Sequence, residues 1–501
     1  MLLAQGLDNG GAGRTTIVDS IQQEITFDDQ DLELDADAIP THPLGIKPLG
    51  NQYLATGPSA RQSLGAFGIL PDELILHLVD YFDADSLRSV ASTCRFLFGF
   101  GQLDDLWKTL YLEANENSSS QPTWRGSWRS TLLRLDPSHL AQVNCGNVFS
   151  DVLHRPFACS HINLGKHIRD IPPENRITRL DDLDCDEFSS SWSNKPFVLT
   201  KSIRSWPVLE AWSIVELRRK YSGTSFRAEA VDWPMSVYAD YMTDSKDESP
   251  LYLFDKTFAE KMQVQVGKGP EGLYWAPDCF GYDFFALLGQ ERPAHRWLIV
   301  GPERSGSTFH KDPNATSAWN AVVEGSKYWI MFPPSAQVPG VFVSEDSSEV
   351  TSPLSIAEWL LEFHAEAREQ PGCVEGICGQ GEILHVPSGW WHLVVNLEPG
   401  IALTQNFVPR SHLADVLSFL RDKPDQVSGF KKEIDDPYEL FVGRLRENYP
   451  DLLEDAMKEL ERRSHNKKRK WEEATKPADD GAGASGGFSF GFGGDSDAEI
   501  P

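Results

Sequence analysis

Two periodicities divide the chain. From Ser326 to Phe332 (SKYWIMF) the residues alternate as in a strand, with Lys327, Trp329 and Met331 against Tyr328, Ile330 and Phe332. Ile401–Val408 (IALTQNFV) reads as another strand, Thr404 and Asn406 on one face and Leu403 and Phe407 on the other beside Gln405. Lys195–Ile203 (KPFVLTKSI) is a candidate buried strand. Helical spacing replaces alternation from Ile69 to about Ala114. There Leu74, Leu78 and Phe82 repeat every four residues, with Ile75 and Val79 alongside. A second segment carries Leu87, Val90, Ala91, Cys94 and Leu97, and a third Leu106, Trp107, Leu110 and Tyr111, so a three-helix cluster is expected. Its entrance is Leu70-Pro71-Asp72-Glu73, proline near the first turn and acids at the positive end of the helix dipole. Leu209–Gly223 reads as one helix stopped by glycine, and Pro409 to about Arg463 as helical and charged, with Leu413, Val416, Leu417, Leu420, Leu440, Phe441 and Leu445.

Composition changes the picture at the ends. A chain of 501 residues predicts two or three domains. Residues 1–64 read as an acidic arm, because FDDQDLELDADA (27–38) cannot bury enough surface to offset its ordering entropy. THPLGIKPLGNQYLA (41–55) reads as an extended piece lying on a domain. Residues 467–501 form a basic run, Lys467-Lys468-Arg469-Lys470, followed by a low-complexity tail; the run reads as a nuclear import signal. A net charge of −28 argues against bulk electrostatic binding to nucleic acid, without excluding a local basic patch. No stretch is long and apolar enough for a membrane span, and no secretory leader is expected at the start. Seven scattered cysteines suggest reduced thiols in an intracellular protein, Cys373 and Cys378 being loop thiols and not a zinc site. Trp124 and Trp128 suit packing between domains, whereas His154, His161 and His167 lack a ligand-like arrangement.

Candidate chemistry gathers in Arg304–Pro334 (RSGSTFHKDPNATSAWNAVVEGSKYWIMFPP). His310 and Asp312 are two residues apart, and positions i and i+2 of a strand share a face, so an imidazole and a carboxylate can grip one ion. Gly389-Trp390-Trp391-His392 offers a second histidine. Two histidines and one carboxylate form the facial triad that holds Fe(II) and leaves positions open for a co-substrate and oxygen. Lys327 sits on a strand apolar on both faces, which is costly unless it meets an anion.

These stretches resemble a Jumonji C (JmjC) domain, of the branch containing the nuclear lysyl hydroxylase and proposed arginine demethylase once called the phosphatidylserine receptor. The resemblance rests on PLYLFDKTF (250–258), RWLIVGPERSGSTFHKDP (296–313), TSAWNAVVEGSKYWIMFPP (316–334) and VPSGWWHLVVNLEPGIALTQNFV (386–408), and covers about half the chain. It implies a double-stranded β-helix, a cupin-like jelly roll with flanking helices. It also implies a 2-oxoglutarate-dependent dioxygenase using Fe(II), 2-oxoglutarate and O2, with His310, Asp312 and His392 as metal ligands. Lys327 and Thr404 would meet the distal carboxylate of the co-substrate, and Asn320, Tyr252 and Ser307 would make further contacts. Family members usually read RSGTGIH before the first histidine; RSGSTFH here alters the pocket beside Ser307. LPDELILHLVDYFDADSLRSVASTCRFLFGFGQLDDLWKTLYL (70–112) resembles an F-box, which implies docking of a Skp-type adaptor through 66–113.

The expected organisation is an F-box-like module at 65–115, a helical linker at 116–156, the oxygenase at 157–425 and C-terminal helices at 426–466; the resemblance implies that such helices either cover the barrel's face or build a homodimer contact. The implied function is hydroxylation or demethylation of a protein side chain, lysine or arginine, in the nucleus or also the cytoplasm, on a chromatin or RNA-processing target. The alternative is a ubiquitin-ligase substrate adaptor that uses the JmjC domain mainly to bind targets.

Overall fold

The computed structural model describes residues 39–115, 122–136, 143–345, 348–353 and 355–474; the acidic stretch 27–38 and the tail from 475 lie outside them. Two sheets dominate. The larger has nine strands in the order Thr178–Leu180, Phe197–Leu199, Ile383–Val386, Ser317–Glu324, Gly400–Phe407, Arg296–Gly301, Leu253–Asp255, Ser225–Ala228 and Val231–Pro234. The smaller orders Val374–Gly379, Ser326–Phe332, Trp391–Asn396 and Gly306–His310, all antiparallel. These are the facing sheets of the expected jelly roll.

Both sheets are covered on both sides, which is why their strands read as apolar runs. Between them lie Ala318 and Val322 of the larger sheet and Trp329, Met331 and Val394 of the smaller. Burying such side chains contributes about 1.5–3 kcal/mol each. The opposite side of the smaller sheet, with Tyr328, Ile330 and Phe332, packs on Trp359 of the helix Ile356–Glu362. Within that layer Glu375 is fully buried and held by Arg368 (Nε to Oε1, 2.6 Å), His364 (3.3 Å) and the Tyr328 hydroxyl. Burial pushes the Glu375 pKa up, but these hydrogen bonds outweigh it and hold it below the ordinary value. His167 joins this network at 3.2 Å from His364, so it is structural, as expected.

The F-box-like region contains four helices where three were expected: Asp72–Val79, Ala84–Ala91, Arg95–Phe100 and Asp104–Asn115. In the first, Ile75 and Val79 point inward while Leu74 and Leu78 remain exposed. This module is joined to the oxygenase through aromatic rings. Trp128 packs on Tyr111, Trp233 and Tyr241, and its Nε1 donates to Asp247 (2.9 Å). The tryptophan pair therefore serves the packing role its spacing suggested.

Several boundaries differ from expectation. Residues 39–64 are not a free arm: Ile46 is buried, Lys47 bridges to Phe149, and Ala60 and Leu64 pack into the core. The single helix expected over 209–223 is two, Val208–Ala211 and Ile214–Lys220, because Ser213 caps the second by accepting from the Glu216 amide. Cys378 lies in a buried strand, not a loop, and all seven cysteines are free. From Val442 the chain forms a second compact unit, comprising the end of the helix Pro437–Asn448 and the helix Pro450–Ala474. The side chains of 467–470 lie outside the described residues. Among the described residues, no helix is long and apolar enough to cross a membrane.

Candidate active site

His310 ends its strand directly opposite His392 of the neighbouring strand. Their ring centroids are 4.1 Å apart. This pairing depends on close backbone approach one turn of the pleat earlier. A Cβ at Gly306 would lie 2.0 Å from the Val394 carbonyl oxygen, and the register shifts between His392 and Val394. Each imidazole is oriented by its own strand: Nδ1 of His310 donates to the Thr308 carbonyl (2.8 Å) and Nδ1 of His392 to the Trp390 carbonyl (3.1 Å). A carbonyl can only accept, so Nδ1 carries the hydrogen and Nε2 keeps its lone pair, the tautomer a metal ligand needs. Burial, and His310 beside it, hold the His392 pKa well below the ordinary value, so it stays neutral.

Asp312 lies two residues beyond the strand, not within it, but on extended backbone (φ −61°, ψ 145°). The following turn is clamped by Asn314, whose amide exchanges hydrogen bonds with the Ser428 backbone at 2.9 and 3.0 Å. Asp312 Oδ1 accepts from Asn406 Nδ2 (3.2 Å), while its buried Oδ2 has no partner. Desolvation raises the Asp312 pKa, and a bare buried carboxylate is costly. His310, Asp312 and His392 line one small chamber with Tyr252, Asn320 and Thr404. They do not close round a point: among the described residues, no group of His, Cys, Asp or Glu is gathered tightly enough to hold an ion unaided. The donor chemistry nevertheless fits divalent iron, with two imidazole nitrogens free and one carboxylate oxygen unsatisfied.

The chamber opens into a cavity of about 610 Å³ that shares Tyr252, Ser307, His310, Asp312 and Asn406 with it.

Comparison with known proteins agrees with this architecture. A Cupin-like domain model matches residues 224–412, and an F-box-like model matches 67–113. The arginine-specific demethylase JMJ22 of Arabidopsis thaliana is 36% identical over 86% of this chain and 86% of its own length. The bifunctional arginine demethylase and lysyl-hydroxylase psr-1 of Caenorhabditis elegans is 34% identical over 57% of this chain and 72% of its own. The 2-oxoglutarate and iron-dependent oxygenase JMJD4 of Danio rerio is 31% identical over 38% of this chain and 43% of its own.

The chain belongs to the JmjC-type iron- and 2-oxoglutarate-dependent oxygenases. Its co-substrates are therefore 2-oxoglutarate and O2, with Fe(II) as the metal.

For this JmjC-type chain, the expected co-substrate contacts fall in two tiers. Tyr252, Ser307, Asn320 and Thr404 reach the chamber lining, and Asn320 Oδ1 is buried without a partner. The Thr404 hydroxyl donates to the Trp319 carbonyl (2.8 Å), so it offers lone pairs and not a hydrogen to a carboxylate. Lys327 lies behind the lining, only 2% exposed, its ammonium 2.6 Å from both the Tyr252 hydroxyl and Asn396 Oδ1. Burial lowers its pKa to about 7.

Two functional residues escaped sequence reasoning. Asn396 faces Lys327 across the strand pair and also donates to Ser305 Oγ (3.0 Å). Its only signal was a polar residue closing the apolar run HLVVN. Asn406 was placed on the Thr404 face, but its grip on Asp312 spans 94 residues of sequence and had no local signature.

Proposed function

We propose that the chain hydroxylates or demethylates a cationic protein side chain, arginine or lysine. In this reading His310, Asp312 and His392 hold the iron, and Lys327, Tyr252, Asn320 and Ser307 hold 2-oxoglutarate, with Thr404 lining the same chamber. The observation that carries it is the pairing of two correctly protonated histidines with an unsatisfied buried aspartate oxygen, in a chamber opening onto an acidic and aromatic cavity. The bound metal and co-substrate together supply the oxidant that attacks a C–H bond. The protein's part is to orient the histidines through their Nδ1 hydrogens and to fix Asp312 through Asn406. It also keeps Lys327 buried behind Tyr252, able to take up a proton as an anionic end arrives, and walls the chamber with Trp329 and Val394. Mass spectrometry of cellular proteins, with the wild type and with His310→Ala, tests it. A gain of one oxygen or loss of a methyl group on arginine or lysine, present only with the wild type, is expected. Identical modification patterns in both would sink the reading.

A second role is favoured by one surface. Ile69, Leu74, Leu78 and Tyr81 are 87, 52, 42 and 76% exposed, an apolar face on the F-box-like module left uncovered although the module packs on the oxygenase. A Skp-type adaptor is the occupant this face suits, so catalysis and adaptor docking coexist in one chain. Nuclear import through 467–470 rests on the basic run alone.

A further inference from the structure

The cavity outside the chamber carries a feature that neither metal nor co-substrate binding uses. Glu229 is the first residue of the two-residue turn joining the strands Ser225–Ala228 and Val231–Pro234, and its φ is +49°. Such a turn favours glycine or asparagine there. A glutamate in the left-handed region costs conformational energy and persists only where its surroundings impose it, commonly at functional sites. Here one cause is visible: Oε1 accepts the Tyr252 amide hydrogen (3.0 Å), which aims the carboxylate at the cavity Tyr252 also lines. Glu229 is exposed as a residue, yet its carboxyl is crowded enough by protein for burial to push its pKa up.

Two residues along from Tyr252, Phe254 shares its face and lines the same cavity. Its ring meets that of Trp297 at 5.4 Å with planes 30° apart, so the two rings lie against each other and together form one aromatic wall of the cavity. Trp297 is itself the cross-strand partner of Thr404, which ties the wall to the chamber. The other charged groups on the lining are engaged. Glu248 pairs with Arg155 (2.6 Å), Asp312 belongs to the metal set, and Arg304 donates to the Asp247 carbonyl (3.0 Å). Lys108, from the F-box-like module, and Asp247 also act on Glu229 electrostatically.

We propose that Glu229 and the Phe254–Trp297 wall form the specificity site for the charged end of the substrate side chain, and that this end is a guanidinium. The proposal rests on reading the chamber behind them as the oxygenase centre. A planar guanidinium can lie flat on an aromatic face while directing its N–H edge to a carboxylate. An ammonium can also sit over a ring beside a carboxylate, as Lys261 does between Phe226 and Asp255. It has no planar face to stack, however, and is more strongly hydrated, so it gains less from the same wall.

The test is binding, measured by fluorescence anisotropy on the full-length protein, of a labelled Gly-Ser-Gly-Arg-Gly-Ser-Gly peptide. Its counterparts carry citrulline, a neutral isostere, or lysine at the central position. The arginine peptide is expected to bind about tenfold or more tightly than either. Glu229→Gln is expected to remove most of that preference. Glu229→Gly, which relieves the turn while deleting the carboxylate, should do the same with an unchanged or higher Tm. Equal wild-type affinity for arginine and citrulline peptides overturns the proposal, as does undiminished preference in both variants. A lysine peptide bound as tightly as arginine overturns the guanidinium assignment. Succinate formation by the wild type is read separately. Its absence together with Glu229-dependent binding would remove the oxygenase reading and keep this site, whereas its presence with Glu229-independent binding would do the reverse.

Discussion

Lys327 offers the sharpest test of how the chamber receives its co-substrate. Its pKa falls from 10.5 to about 7 because the ammonium is fully buried and its two close partners, Tyr252 and Asn396, are neutral. A depression of that size corresponds to roughly 5 kcal/mol by which burial disfavours the charged form. An arriving carboxylate can recover at most about that amount, and deleting one partner of such a pair costs roughly 2–5 kcal/mol. Lys327→Met should therefore raise the KM for 2-oxoglutarate about 30- to 4,000-fold while leaving the fold intact. The sign of the pH effect follows from the same shift. Above pH 7 the free enzyme holds Lys327 neutral, so binding the anion must take up a proton. Affinity should then fall about tenfold per pH unit from pH 7 upward, until the pKa of the bound state is reached. Between pH 7 and 10.5 the unfolded chain binds the extra proton, so this residue's contribution to stability rises with pH. The assay is succinate formation across pH 6.5–9 at varied 2-oxoglutarate, with Lys327→Met alongside. An unchanged KM in the variant, or a flat wild-type profile, would refute the reasoning.

Other consequences are more direct. His310→Ala and Asp312→Ala should each abolish succinate formation, and anaerobic metal titration should fall from about one Fe(II) per chain to none. Arg368→Ala leaves Glu375 buried with its strongest partner gone and should cost about 3–5 kcal/mol, read as a lowered Tm or denaturant midpoint. Leu74→Asp with Leu78→Asp should abolish co-purification of a Skp-type adaptor without changing succinate formation; retention of adaptor by that double variant would assign the apolar face to another partner.

Much of this protein was legible in the chain. Strand parity at Ser326–Phe332, helical spacing at 72–115 and the HxD with a distant histidine depend on local geometry, which sequence spacing encodes directly. The long matching stretches supplied the family, and with it the jelly roll and the co-substrate. What sequence could not supply were pairings across it. Asn396 faces Lys327 from 69 residues away, and Asn406 holds Asp312 from 94. Parity put Leu74 and Ile75 on one helix but could not say that Ile75 turns inward while Leu74 stays exposed, since that depends on which neighbour covers which side. The helix expected through Ser213 failed because a side-chain cap offers the backbone a competing hydrogen bond, which apolar spacing does not register. Glu229 was invisible for a further reason. Its importance lies in a left-handed backbone angle and a cavity wall assembled from three strands, and neither exists until the sheet closes. Local preferences are set by the residues themselves. The partners of buried polar groups are set by which strands come to lie side by side, and only the folded sheets decide that.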